Sequence, residues 1–329
     1  MVVSLVTGCA GFIGSHMVDY LLNKNHVVYG IDNLTSGKKI NIKHNLNNKK
    51  FIFINKDLKN FEIISKKIKK IDFVFHFAGN GELIPSIEKP YEYFKNNAAN
   101  SLLLIDTIRK KKYRIKKFVY AASSTCYGLS EVKTSEKAKI NIQHPYAFSK
   151  YIGEQGIMHW GKVYKIPTIS IRIFNAYGPR SRTTNVYGAV IGVFIKQLIS
   201  NMPLTIVGDG TQKRDFLYIS DLCEAFYKVA ISKSKDEIFN LGSGKPQTVL
   251  SLAKMIFNKK IFLPWRPGEP KKTHANINKI KKLVKWYPKT ELKKGIKIVL
   301  KNTAWWKNAP LWTPSKIKKA TKNWNKYLG

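Results

Sequence analysis

A doubly wound parallel α/β sheet, with a smaller region after it, is the fold this sequence predicts, on three observations. Short β-rich runs alternate with helical stretches through the first half of the chain. The first run empties into a glycine turn and then a helix. After Phe174 the rhythm loosens and turn signals crowd together.

Residues 2–7, 27–31, 51–55, 73–77, 117–122 and 168–173 read as strands. Segments near 12–23, 60–70, 92–112 and 147–164 read as helices. Right-handed crossovers between parallel strands then bring the strand ends, and any ligand, to one edge of the sheet. The later turn signals are Gly178-Pro179, Gly208-Asp209-Gly210, Gly242-Ser243-Gly244 and the run from Pro264 to Pro270. There is no internal repeat and no long linker.

At 329 residues with ordinary apolar content, a substantial core is expected. No apolar run reaches the roughly 18–20 residues a membrane span needs. Met1 leads straight into the first strand, so no secretory leader is read there. Cys9, Cys126 and Cys223 are scattered, without metal-ligand spacing, which points to a reduced, metal-free, cytoplasmic protein. The formal charge is +38, yet only seven of the 58 cationic residues are Arg. Nucleic-acid binding is one reading of that charge. The lysines are spread over many helices and accompany abundant Asn and Ile, so coding bias from an A+T-rich genome is the reading preferred over a nucleic-acid partner. The field would still draw in an anionic nucleotide.

In Gly8-Cys9-Ala10-Gly11-Phe12-Ile13-Gly14, Gly8 makes a tight turn and Gly11 lets the backbone approach a pyrophosphate. Gly14 permits close helix–strand packing. The helix start at Phe12 and Ile13 offers free N–H groups and a positive dipole end. Eighteen residues beyond Gly14, at the end of the second strand, Asp32 can accept hydrogen bonds from both ribose hydroxyls and repel a 2′-phosphate. This favours NAD over NADP. Asp57 and Leu58 follow the third strand and suit the adenine edge. The alternative for either acid is a helix N-cap or turn former. Residues 1–174 are therefore read as an NAD-binding domain of the Rossmann type, with strands near 215–245 interleaved. Residues 175–329 are read mainly as a substrate-binding region.

Tyr146 and Lys150 stand four residues apart, on one helix face. With the segments above, this pair carries a resemblance to the extended short-chain dehydrogenase/reductase family, specifically its nucleotide-sugar epimerases and dehydratases. The matching segments run nearly end to end: Thr7 to Gly14, Asp32-Asn33, His76-Phe77-Ala78-Gly79, Asn97, Ser123 to Gly128 and Tyr146 to Lys150. They continue through Arg172 to Pro179, Gly208 to Asp221, Leu241 to Gly244 and Arg266 to Glu269.

The resemblance implies that Asn33, His76, Phe77, Ala78, Gly79 and Asn97 line the cofactor; His76 could equally be a satisfied core histidine. It makes Tyr146 the general acid/base and Ser123 its hydroxyl partner on the reacting oxygen. Lys150 would bind the nicotinamide ribose and, with the nicotinamide cation, lower a phenol pKa that is ordinarily about 10. Sugar 4,6-dehydratases and related decarboxylases carry carboxylic acids just before the position of Cys126. Here Ser124 and Thr125 stand there, so elimination lacks its proton donor and 4-epimerisation is favoured. Cys126 is one place off the cysteine used by 3,5-epimerases and is read as buried packing.

On the substrate side, Asn175 matches a diphosphate contact, and Arg214 and Arg266 match two phosphate-binding arginines, suited by their planar fork. Thr273 stands where glucose-restricted epimerases often carry a bulky tyrosine, leaving room for an N-acetyl group. Glu82 falls in a loop that usually faces the sugar; it is read either as a contact to the sugar or as a solvent-facing residue. The tail holds Trp305, Trp306, Trp312 and Trp324 among lysines. Docking of a C-terminal helix is expected there rather than a membrane-surface or partner helix. The expected protein is thus an NAD-dependent nucleoside-diphosphate-sugar 4-epimerase, a homodimer by analogy. The alternatives are a 4,6-dehydratase and a non-catalytic NAD- or nucleic-acid-binding protein.

Overall fold

The computed structural model describes residues 1–181 and 189–329. The first half alternates as follows: β1 (Val3–Thr7), α1 (Phe12–Asn23), β2 (Val27–Asp32), β3 (Phe51–Asn55), α2 (Phe61–Ser65), β4 (Phe73–His76), α3 (Pro90–Phe94), α4 (Asn100–Lys110), β5 (Lys117–Ser123), α5 (Pro145–Val163) and β6 (Thr168–Ile173). The second half holds β7 (Ala176–Tyr177), α6 (Val190–Ile199), β8 (Leu204–Val207), β9 (Lys213–Arg214), β10 (Leu217–Tyr218), α7 (Ile219–Ile231) and β11 (Glu237–Leu241). After these come β12 (Gln247–Thr248), α8 (Val249–Ile256), β13 (Lys260–Leu263), α9 (Asn278–Val284), α10 (Leu292–Lys301), α11 (Pro314–Ala320) and α12 (Lys322–Leu328).

Seven strands form one parallel sheet in the order β11-β6-β5-β4-β1-β2-β3. Strand order reverses between β1 and β4, the place where doubly wound sheets open a crevice for ligand. Side chains alternate across the sheet, as strand geometry requires. Leu5, Val74, Phe118 and Tyr120 enter one core layer with Leu104, Ile108 and Ile157. Their neighbours Val6, Phe75, Val119 and Ala121 enter the other, with Met17, Leu21 and Phe226. Burial on both faces explains why these strands read as continuous apolar runs.

Of the strands anticipated near 215–245, β11 joins the main sheet through β6, whereas β10 pairs only with β7. β9 pairs with β12 and β8 with β13, in two-stranded ladders outside the main sheet.

Two helices differ from expectation. The stretch near 60–70 is helical only over Phe61–Ser65. Beyond it the amides of Lys66, Lys67 and Ile68 bond carbonyls three residues back, a tightened turn. Four lysines at 66, 67, 69 and 70 repel one another there while Ile68 and Ile71 are drawn into the core. The stretch near 92–112 is interrupted by a π-turn at Lys95–Ala99. Such bulges recur at functional sites, and this one carries Asn97.

His76 and His144 are both buried, and burial holds their imidazoles down to about 3 and about 4. Because each folded value lies below the unfolded one, the unfolded chain binds protons first as pH falls. Stability therefore rises with pH across this window and is lost as pH drops from 6.5. Thermal melts are expected to show Tm falling by roughly 5 °C or more between pH 7 and about pH 4.5. A level Tm across that range would contradict the assignment.

Candidate active site

A cleft of about 690 Å³ opens at the carboxyl ends of the parallel strands. Its floor includes Gly8, Gly11, Phe12, Ile13 and Gly14. Gly11 is the N-cap of α1 and brings no side chain to it, so the first-turn amides face the cleft without a capping group. A Cβ at position 14 would lie 2.0 Å from the Gly8 carbonyl oxygen, so only glycine lets helix and turn approach this closely. At the end of β2, Asp32 accepts from the amides of Ala10 (2.9 Å) and Leu34 (2.8 Å). Burial pushes its carboxyl up and these amides oppose the shift. Asn33 donates to Asp57 (2.8 Å), whose other oxygen caps the next turn through Lys59 N–H. Asp57 thus acts as the cap of that turn, with both carboxylate oxygens bonded within the protein. Leu58 turns its side chain into the core.

Ser123, Ser124, Thr125, Tyr146 and Lys150, the candidate reacting residues with their neighbours, line the same cleft. Helix α5 starts at Pro145, whose missing N–H costs nothing at that position. His144 caps it, its ring nitrogen accepting from Ala147 N–H at 3.2 Å. The Tyr146 ring is fixed by His144 lying parallel to it (6.0 Å, 14°) and by Tyr93 edge-on (6.3 Å). Burial raises the phenol pKa, and the Ser123 hydroxyl bonded to it pulls the value back down. Burial also lowers the Lys150 ammonium to about 7, against the opposing charge of Glu154 one turn on. Lys150 Nζ sits 4.4 Å from the Tyr120 ring centroid, a further cation-stabilising contact.

Arg214 and Arg266 converge on Glu269: Arg214 at 3.5 Å, Arg266 in a short ion pair. Arg214 also donates to the Pro270 carbonyl at 2.7 Å. Two guanidiniums sharing one carboxylate keep a net positive charge, as a diphosphate requires. Asn175 lines the cleft. Thr273 does not; its hydroxyl donates to Asn175 Oδ1 (2.9 Å) and accepts from Asp215 N–H (3.0 Å). This side chain thereby orients the Asn175 amide.

The profile of the "NAD dependent epimerase/dehydratase family" matches residues 4–242. The chain belongs to this family. A putative UDP-glucose 4-epimerase of Methanocaldococcus jannaschii is 36% identical over 92% of this chain and 98% of its own length. UDP-glucuronic acid 4-epimerase from Bacillus cereus, solved with UDP-glucuronic acid and NAD, superposes with TM-score 0.84. It is 31% identical, over 92% of this chain and 99% of its own. UDP-N-acetylglucosamine 4-epimerase from Methanobrevibacter ruminantium M1, with UDP-N-acetylmuramic acid, gives TM-score 0.85 at 30% identity, over 92% and 98%. NAD is the cofactor of the family, and the uncapped amides, the glycine cradle and Asp32 fit it.

Some residues expected to line the cofactor, His76, Ala78 and Asn97, are not among those lining the cleft. His76 is wholly buried and bonded to Thr7 (2.6 Å) and Ser101 (2.7 Å), so it is a satisfied core histidine. Asn97 is also buried; it holds Asn80 by both amide and carbonyl (2.7 and 3.0 Å) and donates to Ser149 (2.9 Å). Asn80 itself, with Phe77 and Gly79, lines the cleft. Ala78 N–H is tied to Thr7 (3.2 Å). Glu82 is 7% exposed, which removes its solvent-facing reading. Cys126 is packed, its thiol pushed up to about 12 by burial.

Sequence reasoning missed Arg180 and Trp305, both on the cleft wall. Arg180 pairs with Asp19 of α1 (2.7 Å) and lies 5.6 Å from the Trp305 ring centroid. The signal available for Arg180 was the rarity of arginine in this chain.

Proposed function

We propose that this protein is a nucleoside-diphosphate-sugar 4-epimerase, acting on a UDP-hexose or UDP-N-acetylhexosamine in glycoconjugate or polysaccharide precursor synthesis. The observation that carries the reading is the set Ser123, Tyr146 and Lys150 on one cleft wall with the hydroxyls of Ser124 and Thr125 beside it. A base is present, and an acid for expelling a 6-hydroxyl is absent from those two positions. The three 4-epimerase relatives support it.

NAD⁺, held by the glycine cradle, the α1 amides and Asp32, would supply the acceptor and source of hydride for C4. Tyr146 takes the 4-hydroxyl proton as C4 is oxidised, and gives it back to the 4-keto oxygen when hydride returns. Ser123 hydrogen-bonds the same oxygen in both directions. Lys150 holds the nicotinamide ribose. Asn175, Arg214 and Arg266 bind the diphosphate, leaving the sugar free to present either face. We further propose a homodimer through α3 and α5, where Tyr91, Phe94 and Phe148 form an exposed aromatic patch. A cytoplasmic setting accords with three buried, free cysteines.

Label retention tests the hydride loop. A UDP-hexose deuterated at C4 is expected to yield its epimer with the label still on C4. Wash-out of the label into water would overturn the mechanism.

A further inference from the structure

The tail after Thr313 belongs neither to the parallel sheet nor to the two-stranded ladders. In α12, Trp324 is almost wholly buried. Its indole Nε1 donates to the Pro267 carbonyl at 2.8 Å. Its ring centroid lies 5.3 Å from that of His144. Gly268, at φ +70°, comes so close under this helix that a Cβ there would sit 3.3 Å from Leu328.

Both contacts of the indole lead into the site. Pro267 follows Arg266 directly, and the loop runs on through Glu269, which bridges the two arginines. His144 caps α5 and lies parallel to the Tyr146 ring. One side chain therefore touches the diphosphate-side loop with its N–H and the cap of the reacting helix with its face.

We propose that Trp324 is a positioning residue that couples the loop carrying Arg266 to the helix start carrying Tyr146. The indole N–H sets where Arg266 is held, and the ring, through His144, sets the tilt of Tyr146. This rests on the epimerase reading for what is positioned. A purely packing role makes a different prediction: substitutions would lower Tm and the active fraction, and leave Kd, KM and kcat of the surviving molecules alike.

The test uses full-length protein with saturating NAD and three variants, Trp324→Phe, His144→Asn and Trp324→Ala. UDP affinity is read by calorimetry, and KM and kcat with the sugar nucleotide that the wild type turns over. Trp324→Phe keeps a ring against His144 and loses the donor to Pro267. UDP Kd and KM are expected to rise about five- to tenfold, with kcat within about twofold. His144→Asn keeps an N-cap acceptor and loses the ring. Its kcat is expected to fall about tenfold with UDP Kd unchanged. Trp324→Ala should show both effects; if it fails to fold, the other two variants decide.

Unchanged UDP affinity in Trp324→Phe, or the same parameter shifting in both milder variants, would overturn the proposal. The calorimetric comparison needs no turnover. Wild-type protein that binds UDP and converts no sugar nucleotide would refute the epimerase reading, and the effect of Trp324→Phe on UDP binding would still be decided.

Discussion

Tyr146→Phe is expected to lower kcat by about 10²- to 10⁴-fold while leaving the fold and NAD binding in place. The phenol oxygen is the only part removed. The ring that remains is still held between His144 and Tyr93, so packing is retained. What disappears is the acceptor for the 4-hydroxyl proton, and Ser123, a neutral hydroxyl of far higher pKa, cannot replace it. Ser123→Ala should cost less, about 10- to 100-fold. It removes one hydrogen bond to the reacting oxygen and the group that lowers the phenol pKa. Melting temperature and stoichiometric NAD serve as controls for both variants. Activity of Tyr146→Phe within tenfold of wild type would place the base elsewhere.

Arg214→Met should raise KM for the sugar nucleotide by roughly 10- to 100-fold with little change in kcat. A charge-assisted contact to phosphate is worth about 1.5–3 kcal/mol and is the same in ground and transition states. The fold should tolerate the change. Glu269 keeps Arg266 as its partner, and Met fills much of the space left by the arginine stem. A second substitution, Arg266→Met, should add to the first and also leave Glu269 without a cationic partner from this pair. Steady-state kinetics with free nucleoside diphosphate as competitor checks the assignment: inhibition should weaken in parallel with KM. A fall in kcat at unchanged KM would mean that the arginines act on the chemistry and not on binding.

Local chemistry made part of this molecule readable in advance. The run from Thr7 to Gly14 dictates strand, turn and helix through neighbouring residues alone, and the four-residue spacing of Tyr146 and Lys150 survives in any helix. Other roles depend on chain-distant partners that no local pattern announces. Thr273 meets Asn175 across 98 residues, Trp324 meets Pro267 across 57, and Arg172 closes on Glu154 and Tyr127 inside the core. The π-turn carries Asn97, whose side chain bonds Asn80 and Ser149, partners 17 and 52 residues away in the chain. For His76 the family resemblance left a cofactor contact and a satisfied core histidine equally open. Its two hydroxyl partners, Thr7 and Ser101, come from different elements and leave it nothing to offer a ligand.

The most direct test of the 4-epimerase assignment is NMR and mass analysis of UDP-, GDP-, CDP- and dTDP-sugars incubated with the protein and NAD⁺. A product of unchanged mass with inverted coupling at the C4 proton is the predicted result. A product lighter by one water would contradict it and show that Ser124 and Thr125 do not exclude elimination.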